Sequence, residues 1–209
     1  MNSEIRHRIG IMGGTFDPIH IGHLILAECA YEQFQLESVL FLPSGNPPHK
    51  KHRHDGASDQ ERLDMTALAI RDNPHFTLDC EEMLRNGFTY TCETLRLMKE
   101  KHPDTDYYFI MGADSLMSFD SWKHPELISA SCILLVAVRD QLETEKMQEK
   151  MKELHAKFGS RIFLLGTPNL DISSTKLREC LRQKRSVRYF VPDPVLDYIK
   201  IKQIYQDTE

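Results

Sequence analysis

Residues 13–30, GGTFDPIHIGHLILAECA, place His20 and His23 three positions apart, after a glycine pair and at the mouth of a run with helical character. At that spacing in a first helical turn, two imidazoles share one face and aim where the helix N-terminus aims. That end carries partial positive charge and unpaired backbone N–H groups, so ring donors placed there suit an anion, above all a phosphate. Gly13 and Gly14 close the apolar stretch RIGIM and admit a ligand to the backbone, while Gly22 keeps the shared face open. A tight turn, a surface histidine pair or half of a metal site would use the same residues. No HExxH and no CxxC lies nearby to complete a metal site, so no metal ligand is assigned.

A second stretch repeats the logic. In DISSTKLRECLRQ, 171–183, Ser173, Ser174 or Thr175 can cap a helix, but no Glu stands at the third position to complete a capping box. Lys176 and Arg178 fall in the first turn instead. Two cations at the positive end of a helix cost up to about 1 kcal/mol each, which predicts a missing anionic partner. A polyphosphate supplies it, with hydroxyls and backbone N–H groups on its oxygens and the Arg178 guanidinium forked onto them. Two solvated cations are the alternative.

Both stretches need elements to position them. The short apolar runs 8–12, 38–43, 107–112, 132–138 and 161–166 read as buried parallel strands. Between them, 20–34, 59–72, 92–102, 143–158 and 174–183 read as helices, and a last helix over about 193–205 has Pro194 in its first turn. Strand followed by helix, repeated, predicts an α/β protein with a doubly wound, mainly parallel sheet and ligands at the carboxyl ends of its strands. The expectation is one domain, 1–209, whose segment from about 171 onward forms a helical cover. Segment 44–57, long and without periodicity, is a functional-loop candidate.

Composition narrows the partners. The net charge of −5 offers no global field for nucleic acid, so any polyanion must be held by a local cluster. No apolar run approaches the roughly 20 residues of a membrane span, and MNSEIRHRIGIMGG lacks the apolar core of a secretory signal. A cytoplasmic protein with no membrane or nucleic-acid partner is expected; a homo-oligomer stays open. Five cysteines without a CxxC pair fit neither a disulfide framework nor a zinc site, and are expected to be reduced core or near-core residues.

Further residues fall where such a sheet binds ligands. Gly112 and Asp114 end the strand YYFIMG; Asp114 can accept from sugar hydroxyls or cap a helix starting near Ser115. Trp122 is the only tryptophan and stands in the polar stretch DSWKHP, which favours a flat surface for a ring over a core role. In Thr89-Tyr90-Thr91, ahead of the helix CETLRLMKEKH, Thr91 is an expected N-cap. The donors beyond it suit a carboxylate better than an amide. No GxSxG elbow, Walker loop or Cys/His nucleophile signature is present.

GGTFDPIHIGHL together with ISSTKLR resembles the paired signature of the nucleotidyltransferase branch of the HIGH superfamily. PSGNPPHK, TYTCETL and MGADSLMSFDSWKHPELI stand in the order found in its bacterial nicotinate-nucleotide adenylyltransferases, nearly end to end. The resemblance implies a Rossmann-like fold and transfer of the adenylyl group of ATP, carried with Mg²⁺, onto nicotinate mononucleotide, releasing pyrophosphate. It implies ATP contacts from Gly13, Gly14, Thr15, Phe16, His20, His23, Gly112, Asp114, Ser173, Ser174, Thr175 and Arg178, with His20, His23 and Arg178 catalytic. Mononucleotide contacts would come from His49, Lys50, Thr89, Tyr90, Thr91 and Trp122. The chain departs from the family where Arg139-Asp140-Gln141 replaces Arg-Pro-Gly, which leaves the role of Arg139 open. Pantetheine-phosphate adenylyl transfer, cytidylyl transfer and a non-catalytic nucleotide sensor are the rival readings; a class I aminoacyl-tRNA synthetase fragment would share the HIGH element, but 209 residues leave no room for an editing insertion and an anticodon domain.

Overall fold

A computed structural model describes residues 6–46, 56–85, 87–138 and 141–206. The chain runs β1 (His7–Gly14), α1 (Ile21–Phe34), β2 (Ser38–Pro43), α2 (Asp59–Ile70), β3 (Phe76–Leu78), α3 (Glu81–Leu84), α4 (Thr91–Lys101) and β4 (Thr105–Gly112). It continues through α5 (Ala113–Met117), α6 (Pro125–Ser131), β5 (Cys132–Val138), α7 (Gln141–Phe158), β6 (Ile162–Gly166), α8 (Ser174–Arg182) and α9 (Asp193–Ile201). The strands form one sheet in the order β3-β2-β1-β4-β5-β6, and every neighbouring pair is parallel. The expected "mainly parallel" sheet is thus parallel throughout the described residues.

Period-two alternation splits the strands between two cores. Tyr108 and Ile110 of β4 join Ile133 and Leu135 of β5 on the face covered by α1, α2, α8 and α9. Phe109 and Met111 join Leu134 and Val136 on the other face, under α4, α6 and α7. Both faces of a parallel sheet are therefore dry, which is why its strands read as continuous apolar runs.

Several elements escaped the sequence reading. Strand β3 is three residues long, and α3, α5 and α6 are four to seven, too short for a helical period to declare itself. The last helix stops at Ile201; Gln203 and Tyr205 have φ values of 54° and 65°, which break it into a turn. Cys92 and Cys132 are buried, and burial pushes the Cys132 thiol up to about 12. Cys80 is exposed and departs from the expected near-core placement; all five are free thiols. No helix of the described residues is long and apolar enough to cross a membrane.

In β1, a Cβ on Gly10 would stand 2.9 Å from Leu36 Cδ1 and 3.0 Å from Val39 Cγ2, both of them core residues. Gly10→Ala should destabilise by about 1–3 kcal/mol through overpacking, read as a lower urea midpoint with an unchanged m-value.

Candidate active site

Strand order reverses direction between β1 and β4, and in open α/β sheets the crevice outside the carboxyl ends at that point is where ligands bind. A crevice of about 1260 Å³ lies there. All twelve residues expected to meet ATP line it, as do Thr89, Tyr90, Thr91 and Trp122. His49, Lys50 and Arg139 lie outside the described residues.

The two helix entrances meet directly. Ser174 Oγ donates to the Pro18 carbonyl at 2.9 Å, and the Arg178 guanidinium donates to the Asp17 carbonyl at 2.6 Å. The expectation that α8 starts with unpartnered cations is corrected. Lys176 pairs with Asp171 at 2.6 Å, and Arg178, 2% exposed, stands 3.5 Å from the Asp17 carboxylate. One carboxylate five residues back in the motif and one across the crevice already balance these charges. Ser173 is the N-cap of α8, accepting from the Lys176 N–H.

At α1 the N-cap is His20 itself, in extended conformation. Its N–H donates to Nδ1 of His23 at 3.2 Å, and the two rings stack with centroids 3.7 Å apart. The Ile21 N–H is taken by the Phe190 carbonyl at 2.9 Å, so this helix end offers fewer backbone donors than the sequence reading assumed. A Cβ on Gly22 would lie 3.0 Å from His20 Nδ1, tighter than ordinary van der Waals contact, so glycine here leaves room for that ring. His20 Nδ1 is buried with no hydrogen-bond partner, and burial lowers the ring's pKa to about 4. The ring is neutral near pH 7 and escapes repulsion from the helix dipole by losing its charge.

The acceptor side is built from α4 and the segment before α6. Tyr90, not Thr91, is the N-cap of α4, and Thr91 is its first helical residue; the helix starts one position earlier than its threonine suggests. Gly112, not Asp114, is the N-cap of α5, which leaves Asp114 in the first turn as a crevice-facing carboxylate. Trp122 is half-buried, edge-on to Phe109 at 6.2 Å and tilted on Phe119 at 5.6 Å, so it serves both the core and the crevice wall. Lys123 Nζ lies 3.7 Å from the centroid of the Tyr90 ring, a cation–π contact at the rim.

Three contributors went unseen in the sequence. Arg62 of α2, 4% exposed, donates to the carbonyls of Thr15 at 2.7 Å and Ser44 at 2.9 Å, clamping the loops after β1 and β2 together. An arginine on the buried stripe with Met65, Thr66 and Ile70 was the available signal. Glu82 lines the crevice while accepting from Thr94 Oγ1 at 2.6 Å. Asp17 joins the loop after β1 to α8 and to Tyr205, whose hydroxyl donates to its Oδ1 at 2.7 Å.

This sheet order, with two helix entrances converging at its switch point, defines a doubly wound α/β protein of the Rossmann-like, ligand-binding class. A family model described as cytidylyltransferase-like matches residues 11–180. The chain is 44% identical over 192 residues to a probable nicotinate-nucleotide adenylyltransferase of Lachnoclostridium phytofermentans, covering 92% of this chain and 96% of that one. It is 41% identical over 202 residues to one of Synechococcus sp. strain JA-3-3Ab, covering 97% and 96%. Among solved structures, Plasmodium falciparum nicotinic acid mononucleotide adenylyltransferase complexed with NaAD shares the fold, with a TM-score of 0.78 at 22% identity over 95% of this chain and 97% of that one. The chain belongs to the cytidylyltransferase-like family, in the branch of the nicotinate-nucleotide adenylyltransferases.

Because the folded pKa of His20 lies below its ordinary value of 6.5, the unfolded chain binds the extra proton as pH falls. His20 therefore contributes stability that is complete above about pH 6.5 and is lost between there and about pH 4, on the order of 3 kcal/mol in all. Urea unfolding at pH 7.5 and pH 4 should show a steeper loss for the native chain than for His20→Asn; parallel losses would contradict a buried neutral imidazole.

Proposed function

We propose that the protein transfers the adenylyl group of ATP to nicotinate mononucleotide, forming nicotinate adenine dinucleotide and pyrophosphate, as a single nucleotidyltransferase domain over 1–209 working in the cytoplasm. The observation that carries this reading is the convergence of the entrances of α1 and α8 on one crevice, whose lining also includes the aromatic side chains of Tyr90 and Trp122. The relatives at 44% and 41% identity supply the substrate pair.

The acceptor phosphate is anionic at neutral pH, so the reaction needs neither a general base nor a protein nucleophile. One oxygen of that phosphate attacks the α-phosphorus of ATP, the bond from α-phosphorus to the bridging oxygen breaks, and pyrophosphate leaves with the electron pair. Catalysis then consists of alignment and of stabilising charge on the transferring group. His20 and His23 donate to the triphosphate and the reacting α-phosphate. The neutral state of His20 makes it a directional donor, not a charge. Ser173, Ser174, Thr175 and Arg178 hold the β- and γ-phosphates, and Gly13, Gly14, Thr15 and Phe16 bring the loop backbone alongside. Gly112 opens the floor and Asp114 accepts from the adenosine ribose. Trp122 faces the nicotinate ring, the entrance of α4 at Thr89, Tyr90 and Thr91 meets its carboxylate, and His49 and Lys50 take the mononucleotide phosphate.

A divalent cation, Mg²⁺, supplies further neutralisation of the phosphates. The crevice carboxylates fit only a cation held mainly by its nucleotide: Asp17 and Glu82 are engaged by Tyr205 and Thr94, and no cluster of three or more His, Cys, Asp or Glu stands among the described residues.

With ATP and Mg²⁺, pyrophosphate release should be fast with nicotinate mononucleotide and slower with nicotinamide mononucleotide, pantetheine phosphate or cytidylyl acceptors. Equal kcat/KM for the first two would remove the carboxylate role of the α4 entrance, and binding without release would mark a sensor. His23→Ala should lower kcat by about 10²–10³ with little change in KM, the scale of one lost transition-state donor; a raised KM with unchanged kcat would contradict its assignment.

A further inference from the structure

Strands of a parallel sheet are held at a fixed spacing by their ladder, and that constraint ends where the chain turns off the sheet. Strands β1 and β2 end opposite each other, at Gly14 and Pro43, and one further bond joins them, from the Ser44 N–H to the Gly14 carbonyl at 2.7 Å. Past that point Arg62 takes over. Its Nη1 donates to the carbonyls of Thr15 at 2.7 Å and Ser44 at 2.9 Å, and its Nη2 lies 3.5 Å from the Gly45 carbonyl. Nη2 also donates to Asp59 at 2.7 Å and meets the Met83 sulfur at 3.5 Å, so α2 and α3 both hold the guanidinium in place. The loop after β2 is pressed on α3, since a Cβ on Gly45 would collide with the Glu82 carbonyl oxygen. One residue on, the Asn46 carbonyl accepts from the Thr89 N–H at 3.0 Å. Thr15 lines the crevice on the side assigned to ATP, and Ser44 and Thr89 line it on the side assigned to the mononucleotide. Arg62 itself is not among the lining residues.

We propose that Arg62 is a positioning residue for the transfer: it fixes the loop after β1 against the loop after β2, and through them the bound ATP against the bound acceptor. It acts through Thr15 on one side and through Ser44, Gly45 and Asn46 on the other. Each substrate can meet its own wall whether or not the two walls are in register. Loss of the clamp therefore spares the separate affinities and slows the step in which attacking oxygen and α-phosphorus must align. This inference rests on the adenylyl transfer proposed above.

The test compares the native chain with Arg62→Lys, Arg62→Met and Asp59→Asn. It measures single-turnover pyrophosphate formation at saturating ATP, Mg²⁺ and nicotinate mononucleotide, and the affinity for each substrate alone by calorimetry. Both Arg62 variants should slow the single turnover by about 10–100-fold, the scale of a misplacement near 1 Å, with each affinity within about twofold of native. Asp59, its side chain 68% exposed, leaves the carbonyl contacts in place when neutralised, so Asp59→Asn should stay within about twofold of the native rate. An Arg62→Lys protein that melts lower but turns over at the native rate would reduce the residue to a structural one and overturn the proposal. So would an Asp59→Asn protein as slow as Arg62→Lys, or a loss confined to the affinity for one substrate. Should Arg62→Met fail to fold, Arg62→Lys decides alone. Amide exchange reads the clamp without turnover: in Arg62→Lys the N–H groups of Ser44 and Thr89 should exchange about tenfold faster, with those of β4 unchanged. Native protection at both would overturn the proposal. Absence of pyrophosphate release by the native chain would strike the proposed reaction and leave this exchange comparison standing.

Discussion

The bond from Arg178 to the carbonyl of Asp17 spans 161 residues of sequence, and the rest of the site depends on it. Helix α1 follows β1 at the centre of the sheet, whereas α8 follows β6 at its edge. Nothing in the sheet obliges those two helix ends to meet. The segment 167–173 carries the chain inward, and Arg178 together with Ser174 fixes the arrival point on the backbone of Asp17 and Pro18. Two motifs at opposite ends of the sequence become two walls of one crevice through contacts to main-chain carbonyls, which hold whatever side chains surround them.

The same contacts explain how a chain with a net charge of −5 presents a site for polyphosphate. The cations of the α8 entrance arrive already balanced, Lys176 by Asp171 and Arg178 by Asp17, and His20 carries no charge near neutrality. Before ligand binds, little net positive charge is stored in the crevice. In the proposed function, attraction for phosphate then falls to oriented N–H and O–H dipoles, a preorganised polar surface more than a charged one.

The sequence was most legible where one residue type answers one physical demand. Long strands were declared by continuous apolar runs, because both faces of a parallel sheet are buried, and β3 was lost because three residues carry no period. The crevice residues were legible because glycines, histidines and hydroxyls cluster at strand ends. The state of α8 was not, since a first-turn cation looks unpaired until the fold brings a carboxylate from 161 residues away. Tyr205 gave no signal at all: a tyrosine near the end of the chain at φ 65° is indistinguishable in sequence from a solvent-facing one. The N-caps of α4 and α5 were each misassigned by preferring a residue with a capping side chain, Thr91 or Asp114, where Tyr90 and Gly112 cap through backbone conformation alone.

Arg62 shows why two buried arginines border one crevice. Carbonyls at the carboxyl ends of parallel strands lose their ladder partners where the chain turns away, and a loop shaped to approach a ligand cannot satisfy them internally. Arg62 takes those of Thr15 and Ser44 from behind, as Arg178 takes that of Asp17. Each guanidinium presents several donors in a rigid plane, so one side chain can serve carbonyls from two loops at once and fix their spacing. A lysine in either place would satisfy the same charge and leave that spacing unspecified. The two arginines thus tie together the segments that border the crevice, one joining the loops of β1 and β2 and the other joining the loop of β1 to α8. In the proposed reaction, where alignment replaces a reactive side chain, such fixed spacing is what an acceptor phosphate and an α-phosphorus require.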